Sequence, residues 1–290
     1  MTDHIGAFIQ ATATTEPGGA GTDHLAMDNT DIRFAHPLTL GSASGTVGLS
    51  LNNNPTVTDV INTVPAWRFN YISPTLTPGG ASPMLDGGLA GQVWGLNAYV
   101  FLNDSWYAEL GGYQGLSRSF LEHSNVLAAT DPYNKLDGTN PYWRLAYMKN
   151  DGKQFYSVGL FGMNASIMPD GQTDTDKYRD IGIDASYHFH QTYGVTAGLF
   201  RINGSADSGL YASAADSGFA GNPDTDGYIL QADWTPLGKH GSWGEPWANL
   251  RLGLQYTWYT KFNGATNNYD GNGRNASDNN TLYAFVWTSF

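Results

Sequence analysis

Stretches of about ten residues in which apolar and polar side chains alternate one by one recur along this chain, each bounded by Gly, Asn, Asp or Pro. Such a period of two is the repeat of an extended strand, whose successive side chains point to opposite sides, and it excludes the 3.6-residue repeat of a helix. From Trp247 to Thr260 one face reads Ala248, Leu250, Leu252, Leu254, Tyr256 and Trp258, and the other reads Asn249, Arg251, Gly253, Gln255 and Thr257. From Gln92 to Leu102, Trp94, Leu96, Ala98, Val100 and Leu102 oppose Asn97 and Tyr99; from Asp180 to His190, Ile181, Ile183, Ala185, Tyr187 and Phe189 oppose Asp180, Asp184, Ser186, His188 and His190. Each strand therefore carries one greasy and one wet face.

About twelve such segments begin near residues 4, 24, 44, 89, 104, 140, 153, 177, 191, 224, 246 and 279. Short connections (Leu40 to Ser44, Asn103 to Ser105, Asn150 to Gly152, Gln191, Leu237 to Glu245) interleave with long ones covering 14–23, 54–88, 118–138, 166–176, 204–223 and 261–278. Alternating short and long connections with an even strand count fit an all-β, antiparallel up-and-down transmembrane barrel of the bacterial outer membrane, about twelve-stranded or part of a sixteen-stranded one, with both termini in the periplasm. A soluble β-sandwich also alternates, but it buries its apolar faces between two sheets and has no reason for strictly alternating loop lengths.

Composition agrees. Charged residues are 14% of the 290, while Gly (36), Tyr (17) and Trp (9) are plentiful, which suits strands, turns and interfacial aromatics. No run of about 18 apolar residues is present, so no helix is written to cross a bilayer, and a mean hydropathy of −0.34 is compatible with strands that face lipid with alternate residues only. A net charge of −12 with no basic run argues against nucleic acid as a partner, and the absence of cysteine excludes disulfides and thiolate metal sites in this chain. Nothing divides the composition, so we expect a single domain over 1–290. Residues 1–20 lack a basic and then apolar leader, so we expect either that an export signal has been removed or that Met1 lies inside a longer protein.

The final ten residues, TLYAFVWTSF, place Leu282, Ala284, Val286 and Phe290 on one face and Tyr283, Phe285 and Trp287 on the other. A terminal aromatic on such a strand resembles the signal read by the barrel assembly machinery, with Phe290 in that role; Thr288 stands where a second aromatic is usual. Together with DIRFA (31–35), LNNNPTVTDVINTVPAW (51–67), GGLAGQVWGL (87–96), PYWRLAY (141–147) and NNTLYAFVWTSF (279–290), the chain resembles, over nearly its whole length, the barrel portion of proteobacterial outer-membrane cytochrome c–porin fusion proteins. The resemblance implies a barrel that sheathes a haem domain for electron transfer across the outer membrane. It also implies that the CxxCH haem domain and about four strands precede this segment, that haem c belongs to that domain with no cofactor here, and that a periplasmic electron carrier is a partner, alongside membrane lipid and lipopolysaccharide.

Among the residues themselves, Asp31, Arg33, Glu109, Arg144, Asp180, Asp184, His188, Asp233 and Arg251 fall on the polar face of their strands and are expected to line a lumen. Charges of both signs there either set up a field for polar solutes or pair to brace the wall. The 54–88 connection, with a short helical stretch (56–61) and apolar content around Trp67, is expected to fold inward as a constriction carrying Asn54, Asp59, Trp67 and Tyr71, or to lie as a surface cap. His188 and His190 on one face are a possible metal pair, but no third ligand accompanies them. The oxygen-rich segments 170–176 and 268–279 lack EF-hand spacing and read as solvated outer loops. No nucleophile elbow, HExxH or phosphate-cradling glycine loop is present, so no catalytic residue is assigned and no enzymatic activity is expected. Two functions remain from the sequence: the barrel of a cytochrome fusion, and a passive porin or channel for small polar solutes.

Overall fold

The computed structural model describes residues 4–14, 24–53, 92–129, 133–171, 173–204, 223–245 and 247–290. Twelve long strands follow one another in chain order: β1 (Ile5–Thr14), β2 (His24–Leu40), β3 (Ala43–Asn52), β4 (Val93–Leu102), β5 (Trp106–Gly115), β7 (Asn140–Asn150), β8 (Gln154–Met168), β9 (Asp176–Phe189), β10 (Tyr193–Gly204), β11 (Thr225–Trp234), β12 (Asn249–Lys261) and β13 (Thr281–Ser289). Between β5 and β7 lie a short helix α1 (Arg118–His123) and a two-residue strand β6 (Lys135–Leu136) that pairs with β8. All ladders are antiparallel, and each long strand pairs with its neighbours in sequence, giving the up-and-down sheet of an outer-membrane barrel. Among the described residues no ladder joins β13 to β1, which are the two edges of the sheet.

The two faces are inverted relative to a soluble protein. Leu96, Leu110, Leu145, Val158, Leu230, Leu254 and Val286 are exposed, whereas Asp31, Asn97, Glu109, Asp184, Gln231 and Gln255 are buried. On β11 the alternation is direct: Leu230 is 46% exposed and its neighbour Gln231 2%. An apolar band on every strand would far exceed the few hundred Å2 that soluble monomers leave in water, so hydrocarbon is the solvent of this face and the sandwich alternative falls.

The sheet is strongly concave on its polar side, and glycine makes that possible. A Cβ on Gly95 would meet the Tyr113 ring at 2.5 Å, and one on Gly159 would meet Asp184 Oδ1 at 2.9 Å and the Arg144 guanidinium carbon at 2.8 Å. Bulky inward side chains thus lie flat across a glycine of the next strand, as a small, tightly curved barrel demands. Two-residue turns close the hairpins: Asn103 and Asp104 both have φ of 51°, the left-handed pair that matches strand twist in a type I′ turn.

One end of the interior is apolar. Tyr113, Tyr142, Phe161, Met163, Ile167 and Tyr178 cluster there with Leu136 of β6, so the β5–β7 connection, expected only as a loop, packs against the inner wall. The β12–β13 connection does the same. Phe262, Tyr269 and Ala276 pack on Phe200, Ile229 and Tyr259, with a 3-10 turn at Ala276–Asn279. The expectation that 268–279 is a solvated loop holds for Asn268, Gly271 to Arg274, Ser277 and Asp278, which are exposed, but Tyr269, Ala276 and Asn279 are buried, and the carboxylates serve the backbone, Asp270 accepting from Asn272 N and Arg274 N and Asp278 from Asn275 N.

Candidate functional site: the polar inner wall

The residues expected to line the lumen all fall on the concave face. Pairing parity carries them there. Arg33 stands opposite Ser50, Glu109 opposite both Tyr99 and Arg144, Asp180 opposite Met163, Asp184 opposite Gly159, His188 opposite Phe155 and Gly194, Asp233 opposite Gly253, and Arg251 opposite Trp287. Three clusters result.

The first runs through β2 to β5. Arg33 donates to Asp31 Oδ2 from Nε (2.8 Å) and Nη2 (2.7 Å), Ser50 Oγ donates to Asp31 Oδ1 (2.9 Å), and Asn52 Nδ2 donates to Ser50 Oγ (2.7 Å). The chain continues with Tyr113 OH donating to Asn52 Oδ1 (2.8 Å) and Asn97 Nδ2 donating to Tyr113 OH (2.9 Å). Every link is a side chain on one wall, so the polar face is held as a network rather than as loose charges. The Arg33 guanidinium carbon sits 5.5 Å from the Tyr99 ring centre, and its side chain keeps 31% exposure while Asp31 is buried.

The second cluster spans β5, β7 and β9. Arg144 reaches across Gly159 of β8 and donates to both oxygens of Asp184, Nη1 to Oδ2 at 2.6 Å and Nη2 to Oδ1 at 2.9 Å, with both side chains buried. Such a fork on a carboxylate is the strong geometry for an ion pair. Glu109, directly opposite Arg144 in the ladder, accepts from Tyr107 OH at 2.9 Å. The third cluster lies near the short turns, where Arg251 Nη2 and Gln231 Nε2 donate to Asp233 Oδ1 (2.8 and 3.1 Å) and Arg251 lies over Phe285.

The two histidines separate. His188 keeps the inward parity, its ring 5.9 Å from Phe155, but the strand ends at Phe189. His190 enters the turn at φ 52°, leaves the alternation, and stacks at 4.1 Å on the outward Phe189, so the two imidazoles do not share a face as the sequence suggested. Asn54, Asp59, Trp67 and Tyr71, with the whole expected constriction at 54–88, lie outside the described residues. Phe290 follows β13 at the short-turn end, fully exposed, beside a cavity of about 520 Å3 lined by Leu237, Lys239, Glu245 and Trp247.

Sequence reasoning missed the hydrogen-bond chain through Ser50, Asn52 and Tyr113. Their inward parity was legible, but not that tyrosine hydroxyls would tie neighbouring strands together. Several inward polar atoms among the described residues, Tyr142 OH, Gln231 Oε1 and Gln255 Oε1, have no protein partner.

A scan against protein-family models and a search of curated proteins gave no match. Among solved structures the chain is similar to OmpT, an outer membrane protein of Vibrio cholerae. The in-vitro folded form matches with a TM-score of 0.41 at 12% identity, over 99% of this chain and 96% of that one. The outer-membrane expressed form matches with a TM-score of 0.39 at 13% identity, over 99% and 96%. The trimer form matches with a TM-score of 0.38 at 12% identity, over 99% and 98%. The expectation of no enzymatic activity is corrected on this finding. The solved outer membrane proteins that resemble the chain carry the name OmpT, and a fold-level likeness to them gives no ground for denying it a reaction, so that statement is withdrawn. The chain is a β-barrel of the bacterial outer membrane, apolar outside and charged within.

Proposed function

We propose that the chain is a passive conduit for small polar solutes across the outer membrane. One observation carries this reading: charges of both signs, tied into fixed pairs and hydrogen-bond chains, line one continuous concave face whose opposite side faces lipid. Fixed opposite charges on a hydrated wall create a field across the passage that favours polar solutes and disfavours apolar ones. The aromatic and apolar packing at the long-connection end makes the passage narrow, which fits small solutes.

The purified chain, inserted into planar bilayers, is expected to give stepwise, ohmic current. Among the described residues the strands carry six inward carboxylates (Asp31, Glu109, Asp176, Asp180, Asp184, Asp233) and three inward guanidiniums (Arg33, Arg144, Arg251), so the reversal potential in a KCl gradient is expected to show cation preference. Folded, inserted protein without current steps would overturn the proposal. The family resemblance supports a second role, a barrel that sheathes a haem domain; a positive haem stain on the species purified from native outer membranes is the result it requires.

A further inference from the structure

The connections at one end of the sheet are unequal. Two or three residues join β2 to β3, β4 to β5, β7 to β8 and β9 to β10, whereas fourteen, 235–248, join β11 to β12. A hairpin needs about two to five, so the excess serves something other than reversal of the chain. In an outer-membrane barrel the end with short turns faces the periplasm. The long connection is held in one shape there: Thr235 N donates to Thr192 O of the β9–β10 turn (2.6 Å), Ser242 Oγ to Leu237 O (2.9 Å) and Ala248 N to Gly244 O (2.6 Å). Glu245 closes it, with one carboxylate oxygen 2.7 Å from His240 Nδ1 and the other accepting from Gly241 N.

Two tryptophans stand out from this connection. Trp243 is 87% and Trp247 81% exposed, against 45% for Trp234, which lies on the sheet at the same end. An indole held in water forgoes the burial of one of the largest apolar surfaces a side chain carries, so an ordered segment that presents two of them offers a surface to be covered. Trp247 also forms part of the wall of the cavity of about 520 Å3 that lies between this connection, the β9–β10 turn and the end of β13. That volume is within the range of small-ligand sites, about 300–1,000 Å3.

The lining selects the class of ligand. Trp247 and Leu237 are apolar, whereas Gln191, Asn249, Glu245 and Lys239 supply amides, a carboxylate and an ammonium. A free anion would call for cations and donors alone, and here a carboxylate stands among them. A hydrocarbon chain would leave the amides of Gln191 and Asn249 without partners. A sugar ring suits every group: its C–H face packs on an indole, and its hydroxyls, which donate and accept, pair with amides, carboxylate and ammonium. An acetamido substituent adds a methyl for the apolar wall and a peptide-like N–H and C=O for the amides.

We propose that this cavity binds a glycan strand of N-acetylated amino sugars, the polymer that lies in the periplasm against this end of the barrel, with one ring stacked on Trp247 and its acetamido group between Leu237 and the amides of Gln191 and Asn249. Trp243 offers a second indole on the same connection. The site tethers the barrel to the cell wall, and because its loop is already fixed by hydrogen bonds, little ordering is left to oppose binding.

The test uses the whole chain in detergent, titrated calorimetrically with chitotetraose, a β-linked N-acetylglucosamine tetramer, and with cellotetraose, which has the same linkage without acetamido groups. Trp247→Ala is expected to weaken chitotetraose binding about tenfold, the upper range for one aromatic contact, and Trp247→Phe, which keeps a ring, by no more than about threefold. Trp106→Ala, which removes an exposed tryptophan at the same end but on β5, is expected to leave binding unchanged. Cellotetraose is expected to bind the parent about tenfold more weakly, having lost the acetamido hydrogen bonds. Because Trp247 is exposed, its variants are expected to fold, and heat-modified gel migration like the parent's checks that. Equal binding of the two sugars, or no binding of chitotetraose to the folded parent at millimolar concentration, would overturn the proposal. Chitotetraose binding that Trp247→Ala leaves unchanged would also overturn it, because the sugar would then lie elsewhere, as in the lumen of the conduit.

Discussion

Replacing Arg144 with methionine removes the guanidinium that donates to both oxygens of Asp184 and leaves that carboxylate buried, with Glu109 opposite the new methionine. Breaking a buried pair from one side costs about 3–5 kcal/mol, because the surviving charge keeps its desolvation penalty and loses its partner. Two carboxylates are stranded together here, so Arg144→Met belongs at the upper end of that range. Asp184→Leu belongs at the lower end, because Arg144 retains Glu109 across the ladder. The double variant, which removes both charges, is expected within about 2 kcal/mol of the parent, since apolar replacement of a buried pair is often neutral. Gly159→Ala supplies an independent arm. Its methyl would stand 2.9 Å from Asp184 Oδ1 and against the Arg144 guanidinium, so it should cost several-fold more in the parent than in the double variant. The assay is reversible urea unfolding of the barrel in lipid vesicles, read by tryptophan fluorescence. Single and double variants all within about 1 kcal/mol of the parent would refute this reasoning and mean that the pair is hydrated and braces nothing.

Two further outcomes follow from the turns. His190 and Gln191 adopt φ of 52° and 54°, which side chains with a Cβ disfavour by about 1 kcal/mol each, so His190→Asn with Gln191→Gly is expected to raise the unfolding midpoint; a lowered midpoint would contradict the turn geometry. In the β7–β8 turn, Asp151 accepts from Gln154 N (2.7 Å) and Lys153 N (3.0 Å), and these backbone donors hold its carboxyl below the usual carboxylate range. A lowered folded value means that the stabilisation is complete above the unfolded carboxylate range of about 4 and is lost as pH falls through the folded value. Asp151→Asn should therefore flatten the pH dependence of stability below about pH 4, and an unchanged profile in that variant would show that another group governs it.

Much of this fold was legible because its solvent is written into the period. Ile181, Ile183 and Tyr187 alternate with Asp180, Asp184 and Ser186 in the sequence and part onto opposite faces in the structure. The strand starts expected near 140, 153, 177 and 224 agree to within one residue with Asn140, Gln154, Asp176 and Thr225. The connections were not legible in the same way. The β5–β7 and β12–β13 segments carry no period, and only the assembled wall shows that Leu136 and Tyr269 have an apolar surface to meet. His190 was misplaced because the alternation was extended one residue past the point where the backbone turns. Parity also placed the inward charges, but not their pairing: Arg144 and Asp184 are 40 residues apart and meet only across the glycine of an intervening strand.

The most direct test of an outward lipid face and an inward polar wall is a spin-label scan of β10 and β11 in lipid vesicles, which the absence of native cysteine makes clean. Labels at Val195, Thr196, Ala197 and Leu199, and at Leu230, Gln231 and Ala232, would each be introduced on a single cysteine. Collision with oxygen, which concentrates in hydrocarbon, is expected to peak at 195, 197, 199, 230 and 232 and to fall at 196 and 231. The reverse order, or no alternation along either strand, would contradict the account.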